Sequence, residues 1–208
     1  GMMDCKKALN EADGDIEVAI EEMRKSGAAN AAKKAGRIAA EGIISVTQSD
    51  KSAIILEINC ETDFVAKDEN FLNFADSVIE AIDTHNPADV ETLMGLSAGE
   101  RTIEEANQQL IAKIGEKITV RRFEKLSSEG QIGNYLHGNR IGVIVEIEGG
   151  DEALAKDLAM HIAASKPVCV SEDEVSQDIL DKEKEIFSAQ AEESGKPPEI
   201  IEKMVTGR

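Results

Sequence analysis

Three cysteines and three histidines are the first residues to examine for chemistry. Cys5, Cys60 and Cys169 are odd in number and widely spaced, with no CxxC pair and no Cys–His cluster to build a tetrahedral zinc site. His85, His137 and His161 lack a second histidine or a glutamate at metal-ligand spacing. His161, inside Met160-His161-Ile162 on a helical pattern, reads as a core or surface histidine before it reads as a ligand. No serine or cysteine stands in a recognisable pattern with histidine and aspartate. Neither phosphate-loop string, GxxxxGKS/T or GxGxxG, occurs. Gly138-Asn139-Arg140-Ile141-Gly142 lies in a hairpin, the wrong context for a phosphate loop. The sequence therefore predicts a protein without enzyme chemistry, metal or cofactor.

One segment stands apart. Asn59-Cys60-Glu61-Thr62-Asp63-Phe64-Val65-Ala66-Lys67 leaves an aliphatic strand and enters a helix. Thr62 or Asp63 can cap that helix. Phe64 is one of five phenylalanines in a chain with one tyrosine and no tryptophan, and it follows an acid. Two readings fit. Either this is a capped strand-to-helix turn with Phe64 in the core, or it is a protruding tip that offers a carboxylate and a ring to a partner.

The elements that would position this segment follow from periodicity. Residues 4–9 read as a short helix. Ile16, Ala19, Ile20 and Met23 read as an amphipathic helix capped by Asp13 or Asp15 and ending near Gly27. Lys33, Lys34 and Arg37 mark residues 28–41 as a basic helical linker. At Gly42 the pattern changes. Residues 43–46 and 53–58 read as strands of an antiparallel hairpin around Ser49-Asp50-Lys51. Next come a helix carrying Phe71, Phe74, Ala75, Val78 and Ile79, a break at His85-Asn86-Pro87, a helix over 101–114 and a strand over 118–126. Residues 130–135 and 141–147 then read as strands around a turn at His137-Gly138-Asn139-Arg140, and a helix starts at Asp151.

The two stretches match. Ile54-Ile55-Leu56-Glu57-Ile58 resembles Val143-Ile144-Val145-Glu146-Ile147, and each follows a hairpin turn and precedes a helix. Gly42 lies 15 residues before Glu57, and Gly130 lies 16 before Glu146. This internal repeat predicts two related subdomains. Further helices are expected near 176–194 and at 199–205, with Pro198 in the first turn of the last. The expected fold class is α+β, with antiparallel sheets packed by helices.

Composition bounds the function. The chain has 208 residues, 41% hydrophobic and 31% charged, which reads as globular. Its net charge of −18 weighs against nucleic acid and against an anionic membrane surface. Residues 1–40 hold seven acidic and seven basic side chains, so the excess lies entirely beyond them. No apolar stretch reaches the ~18 residues of a membrane span, and no signal peptide is visible. With unpaired cysteines, a soluble cytoplasmic protein is expected. The abrupt helical start at Gly1-Met2-Met3-Asp4 and the abrupt stop at Gly207-Arg208 read as the ends of a fragment.

Four strings carry a resemblance: Gly1-Met2-Met3-Asp4-Cys5-Lys6-Lys7-Ala8-Leu9, Cys60-Glu61-Thr62-Asp63-Phe64-Val65-Ala66-Lys67, His137-Gly138-Asn139-Arg140-Ile141-Gly142-Val143 and Met160-His161-Ile162-Ala163-Ala164-Ser165-Lys166-Pro167. In this order they resemble bacterial elongation factor Ts, and the resemblance covers the whole chain. It implies a guanine nucleotide exchange factor for elongation factor Tu, lacking here the extreme N-terminus and the C-terminal part. It implies a ubiquitin-associated-like helical module at 1–27, a linker at 28–41, a core subdomain at 42–129, and a second at 130–208 with trailing helices.

The resemblance also implies that Thr62, Asp63, Phe64 and Val65 form the exchange tip. The Asp63–Phe64 pair would wedge into the GTPase near its magnesium and phosphate site. His137, Gly138, Asn139 and Arg140 would contact the partner, with Met160 and His161 forming or supporting that surface. It implies no cofactor, no direct nucleic-acid contact and no membrane, and leaves a homodimer of the full-length protein open. The alternative is a structural or assembly subunit that binds elongation factor Tu without exchange, since members of the family also serve in some phage RNA polymerase complexes.

Overall fold

The computed structural model describes residues 2–193. The chain divides after Ala164 into two compact units. In the first, helices α1 (Met2–Glu11) and α2 (Ile16–Lys34) lead. Asp15 caps α2 by accepting from the Glu17 and Val18 amides. The helix does not end near Gly27 as its pattern suggested. Gly27 is buried, and an alanine-rich run of high helix propensity carries the helix on to Lys34. Tertiary packing favours the same extension. α2 lies against α5 (Ile103–Ile114), where Arg24 pairs with Glu105 at 3.2 Å and Lys34 Nζ donates to the Ile111 carbonyl at 3.4 Å. Helical structure thus runs without a break through the first part of the expected linker.

Strands β1 (Glu41–Gln48), β2 (Ser52–Cys60) and β5 (Thr119–Ser127) form an antiparallel sheet in the order β1-β2-β5. Side chains alternate across β2. Ile54, Leu56, Ile58 and Cys60 point into the main core. They meet α3 (Glu69–His85), which presents Phe71, Phe74, Ala75, Val78 and Ile82 at helical spacing. α5 adds Ile103, Leu110 and Ile111. Asp68 caps α3 and a left-handed Asn86 ends it. Thr102 and Glu105 close a capping box on α5, and Gly115, at φ +89°, ends that helix. Between α3 and α5 lie α4 (Val90–Met94) and a minimal hairpin of β3 (Ser97–Ala98) and β4 (Arg101–Thr102).

A second antiparallel hairpin, β6 (Gln131–His137) with β7 (Ile141–Ile147), covers the opposite face of the sheet. A Cβ placed on Gly142 would meet Ile44 and Ile55 side chains within 3.0 Å, so this glycine lets the hairpin lie close. Helix α6 (Glu152–Ser165) turns the ridge Ala155, Ala159 and Ala163 inward. A Cβ on Gly133 would stand 2.3 Å from the Ala155 carbonyl group. Small residues on both sides are what allow this contact. The fold is α+β, as the sequence implied. Each half holds an antiparallel hairpin followed by a helix. The first sheet has a third strand, and the second has two strands among the described residues.

The second unit is described from Ser165 to Glu193 and contains α7 (Gln177–Glu193). The helix expected at 199–205 lies outside the described residues.

Candidate functional site

β2 delivers the chain to the site. Cys60 ends the strand fully buried. Burial pushes its thiol up to about 11, and the nearby Glu116 carboxylate adds to the effect. Such a thiol is a packing group and a poor nucleophile at neutral pH. Beyond it the backbone makes a single tight turn. Ala66 N donates to Thr62 O at 3.3 Å, Lys67 N to Phe64 O at 3.2 Å, and Asp68 N to Val65 O at 3.0 Å. This turn sends Val65 and Ala66 into the core and leaves Phe64 81% exposed. Of the two readings open for Phe64, the structure has the protruding one. Val65, grouped with the tip in the sequence reading, faces inward instead and joins the core cluster.

The capping expected of Thr62 or Asp63 on the helix is corrected. Asp68 caps α3, accepting from Asn70 N at 2.8 Å and Phe71 N at 3.4 Å. The helix begins later than the strand's end suggested, because the short turn at 65–67 intervenes. The Thr62 hydroxyl accepts from Val65 N at 3.4 Å, and Asp63 pairs with Lys67 at 3.2 Å in solvent.

Two carboxylates brace the loop from below. Glu116 Oε2 accepts from the amides of Glu61 and Thr62 at 3.1 and 3.0 Å, and its Oε1 accepts from the Thr62 hydroxyl at 2.7 Å. Glu61 returns the contact by accepting from the Lys117 amide at 2.6 Å. That bond, aided by Arg37 at 3.2 Å, holds the Glu61 carboxyl below the usual carboxylate range against a smaller opposing effect of desolvation. Lys117 Nζ donates to the carbonyls of Ala35 and Arg37, so the segment leaving α2 is tied to the base of the same loop. Sequence reasoning missed Glu116 and Lys117, and it placed Arg37 in the basic linker without its pairing to Glu61. The Gly115 helix stop was the one local sign of a turn there, and nothing local joins residues 54 positions apart.

The hairpin tip comes to the same end of the sheet. Glu41 stands opposite Cys60 in register and pairs with Arg140. The Asn139 carbonyl accepts from Ile44 N at 2.8 Å. His137 and Gly138 are exposed, and Gly138 takes φ +61° to close the turn. The Tyr135 hydroxyl and His137 Nδ1 lie 3.1 Å apart, which steadies the ring. Thus the loop carrying Asp63 and Phe64 and the loop carrying His137 to Arg140 share one edge of the molecule. Arg140 and Asn139 also work internally, holding the hairpin on β1. Met160 and His161 lie on the exposed side of α6.

The family model described as Elongation factor TS matches residues 61–208. The chain belongs to the elongation factor Ts family. Relatives named Elongation factor Ts resemble it along its entire length. That of Thioalkalivibrio sulfidiphilus is 62% identical, covering 100% of this chain and 72% of the relative. Those of Legionella pneumophila strain Paris and Francisella tularensis subsp. novicida are each 58% identical with the same coverage. The elongation factor Ts match opens at Glu61, the first residue of the braced loop, and the relatives extend it through α1 and α2. Among the described residues, no helix is long and apolar enough to cross a membrane.

Proposed function

We propose that this chain is a guanine nucleotide exchange factor that binds elongation factor Tu, disturbs its magnesium and phosphate site, and promotes GDP release during translation elongation. Membership of the elongation factor Ts family supports the partner. The observation that carries the mechanism is the exposed Phe64 ring on a loop otherwise anchored at every turn. Leaving a phenylalanine in water forgoes about 1.5–3 kcal/mol of burial, and a cleft in a partner recovers that energy. Asp63 brings negative charge beside the ring. Near a bound nucleotide it competes for the metal's water and side-chain contacts, and loss of the metal leaves the diphosphate charge uncompensated. The factor acts by binding the empty GTPase better than the loaded one, so factor and nucleotide weaken each other equally. His137 to Arg140 form a second contact at the same edge, with Met160 and His161 on α6 supporting it. Residues 1–27 act as a docking module, and residues 42–129 and 130–208 as the two core subdomains.

The test is release of labelled GDP from elongation factor Tu, with this chain added at substoichiometric amounts. Acceleration with turnover is expected. Binding without acceleration would overturn the exchange reading and leave an assembly role.

A further inference from the structure

Phe64 can work as a wedge only if its loop does not yield when the ring is pushed into a partner. The turn at 65–67 is a single turn, too short to be rigid by itself. Its N-terminal side, where the chain leaves β2, is the weak point. Glu61 N and Thr62 N have left the strand ladder and need acceptors. Glu116 supplies both from one oxygen and holds the Thr62 hydroxyl with the other. The hydroxyl and carbonyl of Thr62 then receive Val65 N and Ala66 N, the two residues that follow the ring. A continuous hydrogen-bonded path therefore runs from Glu116 through Thr62, two residues before Phe64, to the two residues after it. Glu116 is itself fixed by its neighbours. Gly115 ends α5 before it with a bond from Gly115 N to Ile111 O at 2.9 Å, and Ile118 is buried after it. It sits half-buried beneath the loop, while Phe64 projects away into solvent.

We propose that Glu116 is a positioning residue for nucleotide exchange, setting the direction and stiffness of the Phe64 ring. The proposal rests on the exchange reading above. A carboxylate suits the task because charge-assisted bonds to main-chain amides are short and strong. Glutamine can rebuild the set. Its carbonyl oxygen takes the two amides, and its NH2 donates to a Thr62 hydroxyl turned to accept. Alanine leaves all three donors to water.

The experiment titrates each variant against elongation factor Tu loaded with a fluorescent GDP and separates the maximal release rate from the half-saturating factor concentration. Glu116→Ala should lower the maximal rate about tenfold or more, as misplacement of a working group does, with a smaller change in half-saturation. Glu116→Gln should restore most of the rate. In a Phe64→Ala background, Glu116→Ala should add nothing, because both act through one ring. Simple unfolding would instead raise the half-saturating concentration, because less of the added factor is active, and leave the maximal rate unchanged. If Glu116→Ala does not fold, Glu116→Asp takes its place, with the charge kept and the reach shortened by one methylene. A wild-type maximal rate in the folded Glu116 variant beside a slow Phe64→Ala protein would overturn the positioning role alone. A wild-type rate in Phe64→Ala would overturn the Phe64 wedge on which it rests, while binding without acceleration by the unmutated chain would overturn the exchange reading itself.

Discussion

Glu61 and Glu116 exchange main-chain hydrogen bonds. The Glu116 carboxylate accepts from the Glu61 amide at 3.1 Å, and the Glu61 carboxylate accepts from the amide of Lys117, the next residue after Glu116, at 2.6 Å. Two loops far apart in sequence are thereby stapled side by side. Each acid neutralises the donors that the other's loop leaves unpaired. The charge of Glu61 is balanced by Arg37 at 3.2 Å.

The two phenylalanines flanking the cap should respond oppositely to truncation. Phe71 is fully buried, and Phe71→Ala should cost ~3–5 kcal/mol of stability. Phe64 is 81% exposed, so Phe64→Ala should leave denaturant unfolding within about 0.5 kcal/mol of wild type while slowing GDP release from elongation factor Tu. A large loss of stability in Phe64→Ala would return the ring to the core.

Asp63 and Asp68 should also part company. Asp68→Ala removes the α3 cap and should cost ~1 kcal/mol. Asp63→Ala loses only an exposed pair with Lys67, worth about 0.3–0.5 kcal/mol. Thermal melts of the two single variants, read beside their exchange rates, give the comparison. Equal destabilisation would show that Asp63 has a structural role the hydrogen bonds do not reveal.

Acid should loosen the staple. The Glu61 carboxyl lies below its ordinary value of 4.5, so its contribution is complete above that value and is lost as pH falls through the lower folded-state value. Hydrogen exchange at the Lys117 amide should therefore be protected at neutral pH and lose protection at the acid end of a pH series. In Glu61→Gln the same amide should show no such acid step. A pH-independent amide in the wild-type protein would contradict the linkage.

Gly133 should tolerate no side chain. A Cβ there would stand 2.3 Å from the backbone carbon and oxygen of Ala155 and 2.8 Å from its Cβ. Gly133→Ala must push α6 off the hairpin, at a cost of ~1–3 kcal/mol. Adding Ala155→Gly removes only the Cβ contact and should not restore stability in chemical denaturation. Full recovery in the double variant would mean that the helix backbone yields more easily than its packing implies.

Thiol labelling offers a check on burial. Cys5 is exposed and Cys60 buried with its thiol raised to about 11. Native protein should react with a thiol-directed reagent at Cys5 and resist at Cys60 until unfolded. Rapid labelling of Cys60 by mass spectrometry would show that β2 opens at its end.

The order of the longer helices and strands was legible in the sequence because each is a local pattern, whereas the short α4 and the two-residue strands β3 and β4 were not read there. The period-two run of β2, the apolar stripe of α3 and the Asp15 cap need only neighbouring residues. The resemblance to elongation factor Ts was legible for the same reason, since its strings are contiguous. Composition alone left Phe64 undecided between core and surface. Only the tertiary structure decided it, because whether position 64 or 65 faces inward depends on a single turn fixed by contacts made elsewhere. The extension of α2 past Gly27 has a local cause in its alanine-rich run, and the packing against α5, far along the chain, favours it as well. Glu116 shows the limit most clearly. A glutamate after a helix stop is an ordinary surface residue by pattern, and it becomes the brace of the Phe64 loop only when β5, returning alongside β2, brings it beneath Thr62.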